Sequence, residues 1–460
     1  MTSDEQASDD LPASADVGLL SPAWAGTPVA DETGDPAVLR AMLDAEVALA
    51  EAGAAVGAVP DAAAQVIRDV AATARFDLVA LAAGSRAGGN PVIPLVAELR
   101  RAVTAADPHA ARFVHLGATS QDILDSALML VARRAIRLVT SDLDATVAAL
   151  AALAETHRGT PMAGRSLTQH SVPITFGLKA AGWLMGVSDA RGFLAAVAEA
   201  LPAQLGGASG TLASFEELAP GHAVEVAEVY AAQLGLSSPS LPWHTVRTPV
   251  VRLADALAGA AGALGKIGVD VALLSRTEIS ELHEPTGGGS SSMPQKQNPA
   301  RSVLIHAATR TVPGLAAELH RSAIAVDERP DGAWHAEWQS LRELLRCVGG
   351  AASLAAELTG GLQVDPERMR ANLAMTGPLI VSERVSLAVG PVLGADTVRK
   401  LIAESAGDPD GLGGRLQAAL PDWNAERIRE LLDPLAYLGA SDALIDRALA
   451  HVRATGSTGL

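Results

Sequence analysis

From Thr248 onward the apolar residues Leu253, Leu257, Ala260, Leu264, Ile267, Val271 and Leu274 recur at alternating spacings of four and three. That is the period at which one helix lays a continuous seam against another, so the segment is committed to a helix with a packed partner. Thr248-Pro249 supplies the start, a capping hydroxyl followed by the residue best suited to a first helical turn. Ala254, Ala258, Gly259, Ala261 and Gly262 let neighbouring helices approach on several other sides, which places this helix inside a bundle or an oligomer. Aromatic residues are only 3% of the chain while hydrophobic residues reach 49%. Chains rich in Ala, Leu and Val pack as helices rather than as β-sandwiches, and the fold class is all-α.

The 460 residues exceed one ordinary core and suggest two or three domains. After an acidic stretch over 1–30, Asp35-Pro36 opens a helix as N-cap and first helical residue. Helical patterning runs to about residue 105, broken at Gly84 to Pro94 (GSRAGGNPVIP), a candidate functional loop or a plain connector. A long helix starts at Thr140-Ser141, where Ser141 and Asp144 form an S-x-x-D signal, and another starts at Pro299. Beyond about residue 355 the segments TGP, AGDPDGLGG and LDP separate shorter helices. The division is an acidic N-terminus over 1–30, an N-terminal helical domain over 31–110, a central long-helix domain over 111–355 and a C-terminal helical domain over 356–460. Strands are expected to be short and peripheral.

A net charge of −17 argues against nucleic acid as a partner, because phosphate binding needs a basic face. An anionic ligand would then need positive groups concentrated locally. The single cysteine, Cys347, forms no internal disulfide and sits in an apolar helical run, as a buried structural thiol does. The N-terminus lacks a basic region and an apolar core, and no apolar run of spanning length is free of charge or Gly/Pro interruption, so a cytoplasmic location without a membrane is expected. There is no P-loop, no dinucleotide fingerprint, no paired Cys or H-E-x-x-H and no nucleophile elbow. No cofactor and no metal is expected.

Three polar segments carry the chemistry. Glu284 to Pro299, EPTGGGSSSMPQKQNP, offers successive Gly and Ser residues whose backbone N–H groups can wrap an anion, and Lys296 as a cation. Asn298-Pro299 reads as N-cap and first residue of the next helix, so the loop ends at a positive helix terminus where a carboxylate would bind. Gly117 to Asp122, GATSQD, precedes an apolar run, with Ser120 as N-cap and His115 and Thr119 beside it. Gly164 to Pro173, GRSLTQHSVP, offers Arg165, Gln169 and His170 before a helix opened by Pro173. Each loop feeding a helix N-terminus suits one polyanionic ligand.

These segments resemble the three signature regions of the fumarase/aspartase superfamily in the same order. The superfamily's G-S-S-x-M-P-x-K-x-N-P is matched from Gly289 to Pro299, and the likeness covers nearly the whole chain. The resemblance implies a three-domain subunit with a central bundle of long helices, and a homotetramer with active sites shared among subunits. Within the superfamily HLGATSQDILDSAL, GRSLTQHSVPITFGLKAAGWL, ERPDGAWHAEW and LLDPLAYLG are most similar to the bacterial 3-carboxy-cis,cis-muconate cycloisomerases, implying a small tricarboxylate substrate. By that resemblance Ser290 is the catalytic base, with His170 and Lys296 as further catalytic candidates. Thr119, Ser120, Arg165, Gln169, Ser291, Asn298, Arg329 and His335 are the substrate-binding candidates.

One departure discriminates. Adenylosuccinate and argininosuccinate lyases and fumarases have a histidine where Leu167 stands here, and it assists the leaving group. An amine or hydroxide needs that proton, whereas a carboxylate, whose conjugate acid has a pKa of about 4, leaves unaided. Leu167 therefore speaks against an amine-releasing lyase. Intact Ser290, Lys296 and Asn298 speak against a non-enzymatic, crystallin-like role.

Overall fold

The computed structural model describes residues 16–285, 293 and 296–455. They are mostly helical, as the composition requires, with five helices of 23 residues or more among them: Ser120–Thr156, Phe176–Glu199, Thr248–Leu274, Ala300–Ser322 and Ala333–Gly360. The seam of Thr248–Leu274 is fully buried from Leu253 through Val271. By length and composition this helix could cross a membrane, but half of its most apolar window is buried in protein. Arg252, Asp255 and Lys266 line its exposed side, so it is a core helix.

The chain divides into two compact units, one of Met1–Ser141, Phe193–Gly262 and Ala307–Ser353, the other of Asp142–Gly192, Ala263–His306 and Leu354–Leu460. Each boundary falls inside one of the five long helices.

In the first unit the helices Asp35–Ala55, Asp61–Thr73, Leu78–Gly88 and Val92–Ala106 precede the long ones. Gly34, not Asp35, holds the first N-cap position, and Asp35 stands in the first turn. The expected break at 84–94 narrows to three residues: Gly89 takes φ 75°, and the Asn90 carboxamide oxygen accepts from the N–H groups of Val92 and Ile93. A capping Asn explains that motif without a ligand.

A buried ion cluster joins three helices of this unit. Arg247 is 2% exposed, just ahead of Thr248–Leu274. Its guanidinium donates to Asp125 at 2.7 and 3.1 Å and to Glu337 at 3.0 and 2.6 Å. The Trp334 indole N–H adds a third donor to Asp125 at 2.9 Å. Burial pushes the Glu337 carboxyl above the ordinary range, and Arg247 opposes that shift.

The helix expected to start at Thr140 does not start there; Ser120–Thr156 runs unbroken through it. Thr140 Oγ1 donates back to the Ile136 carbonyl, as mid-helix threonines do. Asp144 pairs with Arg191 in the second unit, so the S-x-x-D pattern marks a salt bridge rather than a cap.

The second unit holds the short strands that the sequence left at the periphery. Strands β1 (Pro161–Ser166) and β2 (Gln169–Thr175) pair antiparallel, with Ser166 opposite Gln169. Pro173 therefore lies in a strand, and the helix it was expected to open starts at Phe176. Leu167 and Thr168 form a two-residue turn with φ 49° and 72°. That is the type I′ arrangement, which favours Asn-Gly and strains a β-branched residue. Strands β3 (Leu282–His283) and β4 (Gln363–Val364) form a second antiparallel pair. The C-terminal helices close on their own core of Val385, Val389, Val398, Leu412 and Leu416.

Replacing Leu264, fully buried in the seam, by Ala should lower stability by about 2–5 kcal/mol, read as a fall in the urea midpoint. Replacing Leu167-Thr168 by Asn-Gly should raise stability by about 1–2 kcal/mol by relieving the turn. An unchanged or lower midpoint in that variant would contradict the strain.

Candidate active site

The first signature region is set by the start of Ser120–Thr156. The Thr119 N–H donates to Asp122 Oδ2 at 2.9 Å, the return half of a capping box. Thr119 is therefore the N-cap and Ser120 the first helical residue, one position from expectation. The Asp122 carboxylate is fully buried and also accepts from the N–H groups of Gly206 at 2.9 Å and Gly207 at 3.0 Å and from His244 Nε2 at 2.7 Å. Arg329 lies against the same segments: it donates to Gln121 Oε1 at 3.3 Å and to the Ala208 carbonyl at 2.8 Å. Both acceptors are neutral, and no carboxylate pairs with Arg329 among the described residues. Its charge is thus free for an anion.

His115, beside this loop, has a structural task. Its Nδ1 lies 2.6 Å from Glu46, and although burial disfavours its cation, Glu46 holds its pKa above the ordinary value. His335 is exposed and packs on Trp334 and Trp338, with ring centroids 5.4 and 4.8 Å away.

The second signature region is the β1–β2 hairpin. Arg165 and His170 are register partners across it. Glu281, fully buried, takes the Arg165 guanidinium through both oxygens at 3.0 and 2.7 Å, and Asn372 Nδ2 adds a bond at 2.8 Å. Arg165 is therefore committed to an internal carboxylate. His170 Nδ1 lies 2.7 Å from Thr376 Oγ1, and burial, with the Arg165 charge second, pushes its pKa below the ordinary value. His170 is accordingly a neutral hydrogen-bonding group near pH 7. At the tip Leu167 is 95% exposed and Gln169 is exposed beside it. The tip itself, Leu167-Thr168-Gln169, carries no ionisable side chain.

Ser290 and Ser291, at the centre of the third region, lie outside the described residues. Lys296 is exposed, with its N–H on the Met293 carbonyl, and Asn298 is half-buried. The helix after the loop is Ala300–Ser322, and the Pro299 carbonyl accepts its first i,i+4 bond, so Pro299 is the N-cap rather than the first helical residue. A carboxylate does sit at this helix start, but it belongs to the chain: Glu284 accepts from the N–H groups of Arg301 at 3.1 Å and Ser302 at 2.8 Å and from Ser302 Oγ at 2.8 Å. The helix terminus is thus occupied from within. Beside it a cavity of about 360 Å³ is lined by Ser275, His283, Glu284, Pro285, Gln297, Asn298, Pro299 and Gln363.

Several of these residues escaped the sequence reading. Asp122 carries a legible signal, the T-x-x-D spacing from Thr119. Glu281, Glu284, Asn372 and His244 carry none, because their partners lie 17 to 122 residues away.

A family model for lyases matches residues 27–314. The nitrosuccinate lyase of Streptomyces davaonensis is 51% identical over 96% of this chain and 97% of its own length. The 3-carboxy-cis,cis-muconate cycloisomerase of Pseudomonas aeruginosa is 41% identical over 97% of this chain and 98% of its own. Among solved structures, the 3-carboxy-cis,cis-muconate lactonizing enzyme of Pseudomonas putida superposes with a TM-score of 0.88 at 36% identity, covering 95% of this chain and 100% of that one. By fold, by signature regions and by these relatives, the chain is an enzyme of the lyase family within the fumarase/aspartase superfamily.

Proposed function

We propose that this enzyme eliminates nitrite from nitrosuccinate to leave an unsaturated four-carbon dicarboxylate. The observation that carries the reading is the hairpin tip. Leu167, Thr168 and Gln169 offer no proton to a leaving group, and His170 behind them is a neutral imidazole tied to Thr376. Such a site suits a group that departs as a stable anion. Nitrite is one, since nitrous acid has about the strength of a carboxylic acid, and the 51% identity to a nitrosuccinate lyase supports this choice.

In this mechanism Ser290, as an alkoxide stabilised by neighbouring N–H groups and cations, removes a proton from the carbon next to the distal carboxylate. The electron pair moves onto that carboxylate as an aci-carboxylate, held by Lys296 and Asn298. It then returns to form the C=C bond as the C–N bond breaks, and nitrite leaves with that bond's electrons. The proton stays on Ser290 until solvent takes it. Thr119, Ser120 and Arg329 hold the other carboxylate. Arg329 suits this role because its guanidinium faces only neutral acceptors among the described residues. The active unit is a homotetramer with sites shared among subunits, a state that light scattering would report.

A second reading keeps the cycloisomerase expectation: lactonisation of 3-carboxy-cis,cis-muconate uses the same base and an unprotonated carboxylate. The 41% identity and the 0.88 TM-score favour it.

Incubation of the purified protein with nitrosuccinate should release nitrite in step with the appearance of the unsaturated acid. Loss of the diene absorbance of 3-carboxy-cis,cis-muconate without nitrite release would select the second reading, and AMP from adenylosuccinate would refute both. Ser290→Ala should cost about 10²–10⁴-fold in kcat with the fold intact, and retained turnover would remove Ser290 from the mechanism.

A further inference from the structure

Asp122 is more than a cap. Ionised carboxylates accept at about four lone-pair positions, and Asp122 fills all four with donors from three segments: Thr119 N–H, Gly206 N–H, Gly207 N–H and His244 Nε2. Asp122 Oδ1 serves as acceptor for Gly206 as well, so His244 is the donor and carries its proton on Nε2. His244 is 3% exposed, and its Nδ1 is buried without a hydrogen-bond partner among the described residues. The ring is therefore held by one side-chain hydrogen bond, directed at Asp122. The His244 backbone carbonyl accepts from Gln121 Nε2 at 2.9 Å, so this residue grips the first helical turn at two consecutive positions.

The glycine turn on the other side of Asp122 is equally constrained. Gly206 has His244 Cε1 and Pro242 Cβ within 3 Å of where a Cβ would stand. Gly207, at φ 71°, would bring a Cβ to 3.2 Å from the Gly117 carbonyl. The next residue, Ala208, gives its carbonyl to Arg329, and Gln121 gives Arg329 its side-chain oxygen. Thr119, Ser120 and Arg329 thus depend on the same buried carboxylate for their mutual placement.

We infer that His244 and Asp122 form a positioning pair that presets the Thr119–Ser120 turn and Arg329 as one carboxylate-binding unit. The role in substrate binding rests on the reading above, whereas the clamp stands on geometry alone. Groups preset in this way bind ground state and transition state alike, so loosening them raises KM more than it lowers kcat.

The test compares wild type with His244→Ala and His244→Gln, whose carboxamide nitrogen can replace the Nε2 donor. In hydrogen exchange, peptides covering 117–122 and 204–210 should exchange about tenfold faster in H244A and recover in H244Q, because a charge-assisted hydrogen bond is lost and restored. With the substrate that wild type turns over, KM should rise about 10–100-fold in H244A with kcat nearly unchanged, and recover in H244Q. Equal exchange in all three proteins would overturn the inference whether or not either substrate is accepted. A fall in kcat at constant KM, not recovered by H244Q, would overturn it as well, marking His244 as a structural residue only. Wild type inactive on both substrates, with exchange altered as described, would instead sink the functional reading and leave the clamp standing.

Discussion

In the first unit the start of the longest helix is registered to the Arg247 cluster. A guanidinium removed from water and shared by Asp125 and Glu337 tolerates very few arrangements, because removing either partner strands a buried charge at about 3–5 kcal/mol. Such clusters add little net stability compared with apolar packing, but here the geometry does the specifying: a residue ahead of Thr248–Leu274, one on Ser120–Thr156 and one on Ala333–Gly360 are brought to a single point. Asp125 is one turn beyond Gln121 and Asp122, and Gln121 Nε2 also reaches Asp125, at 3.2 Å. The start of the longest helix is therefore fixed before any ligand arrives, which is the condition for preorganised binding.

The second unit solves a different problem. Its hairpin is braced by Glu281, which takes Arg165 and Asn372, and by Thr376 on His170. A cation that looked available for substrate is spent on holding the hairpin. What the tip then presents is an apolar, strained and exposed residue, Leu167. The electrostatics follow from this: in the second unit Arg165 is neutralised by Glu281, and Glu284 is seated on the helix start.

Much of the architecture was legible because it is local. The heptad spacing from Leu253 to Leu274 located a buried helix, and Gly117 to Asp122 located the start of Ser120–Thr156 to within one residue. The errors came where tertiary partners override local signals. Ser141 and Asp144 spell a helix start, but the backbone continues through them because Ser120–Thr156 is held along its length by packing. GRSLTQHSVP has neither Asn-Gly nor alternation, so nothing local announces a hairpin, and Leu and Thr at positive φ contradict the propensity rules outright. A helix terminus was foreseen after the signature loop, but that Glu284 already caps it was not, because the capping residue lies 17 positions upstream.

That last contact has a consequence for how the loop can change. Glu284 binds the N–H groups of Arg301 and Ser302, so the chain entering the signature segment and the chain leaving it are stitched together at its base. Once the ends are fastened, the entropy of closing the intervening chain grows only slowly with length, by about 0.6 kcal/mol per doubling. The helix Ala300–Ser322 therefore keeps its cap whatever the length of chain that joins Glu284 to it, which separates the inheritance of the scaffold from the tuning of the chemistry.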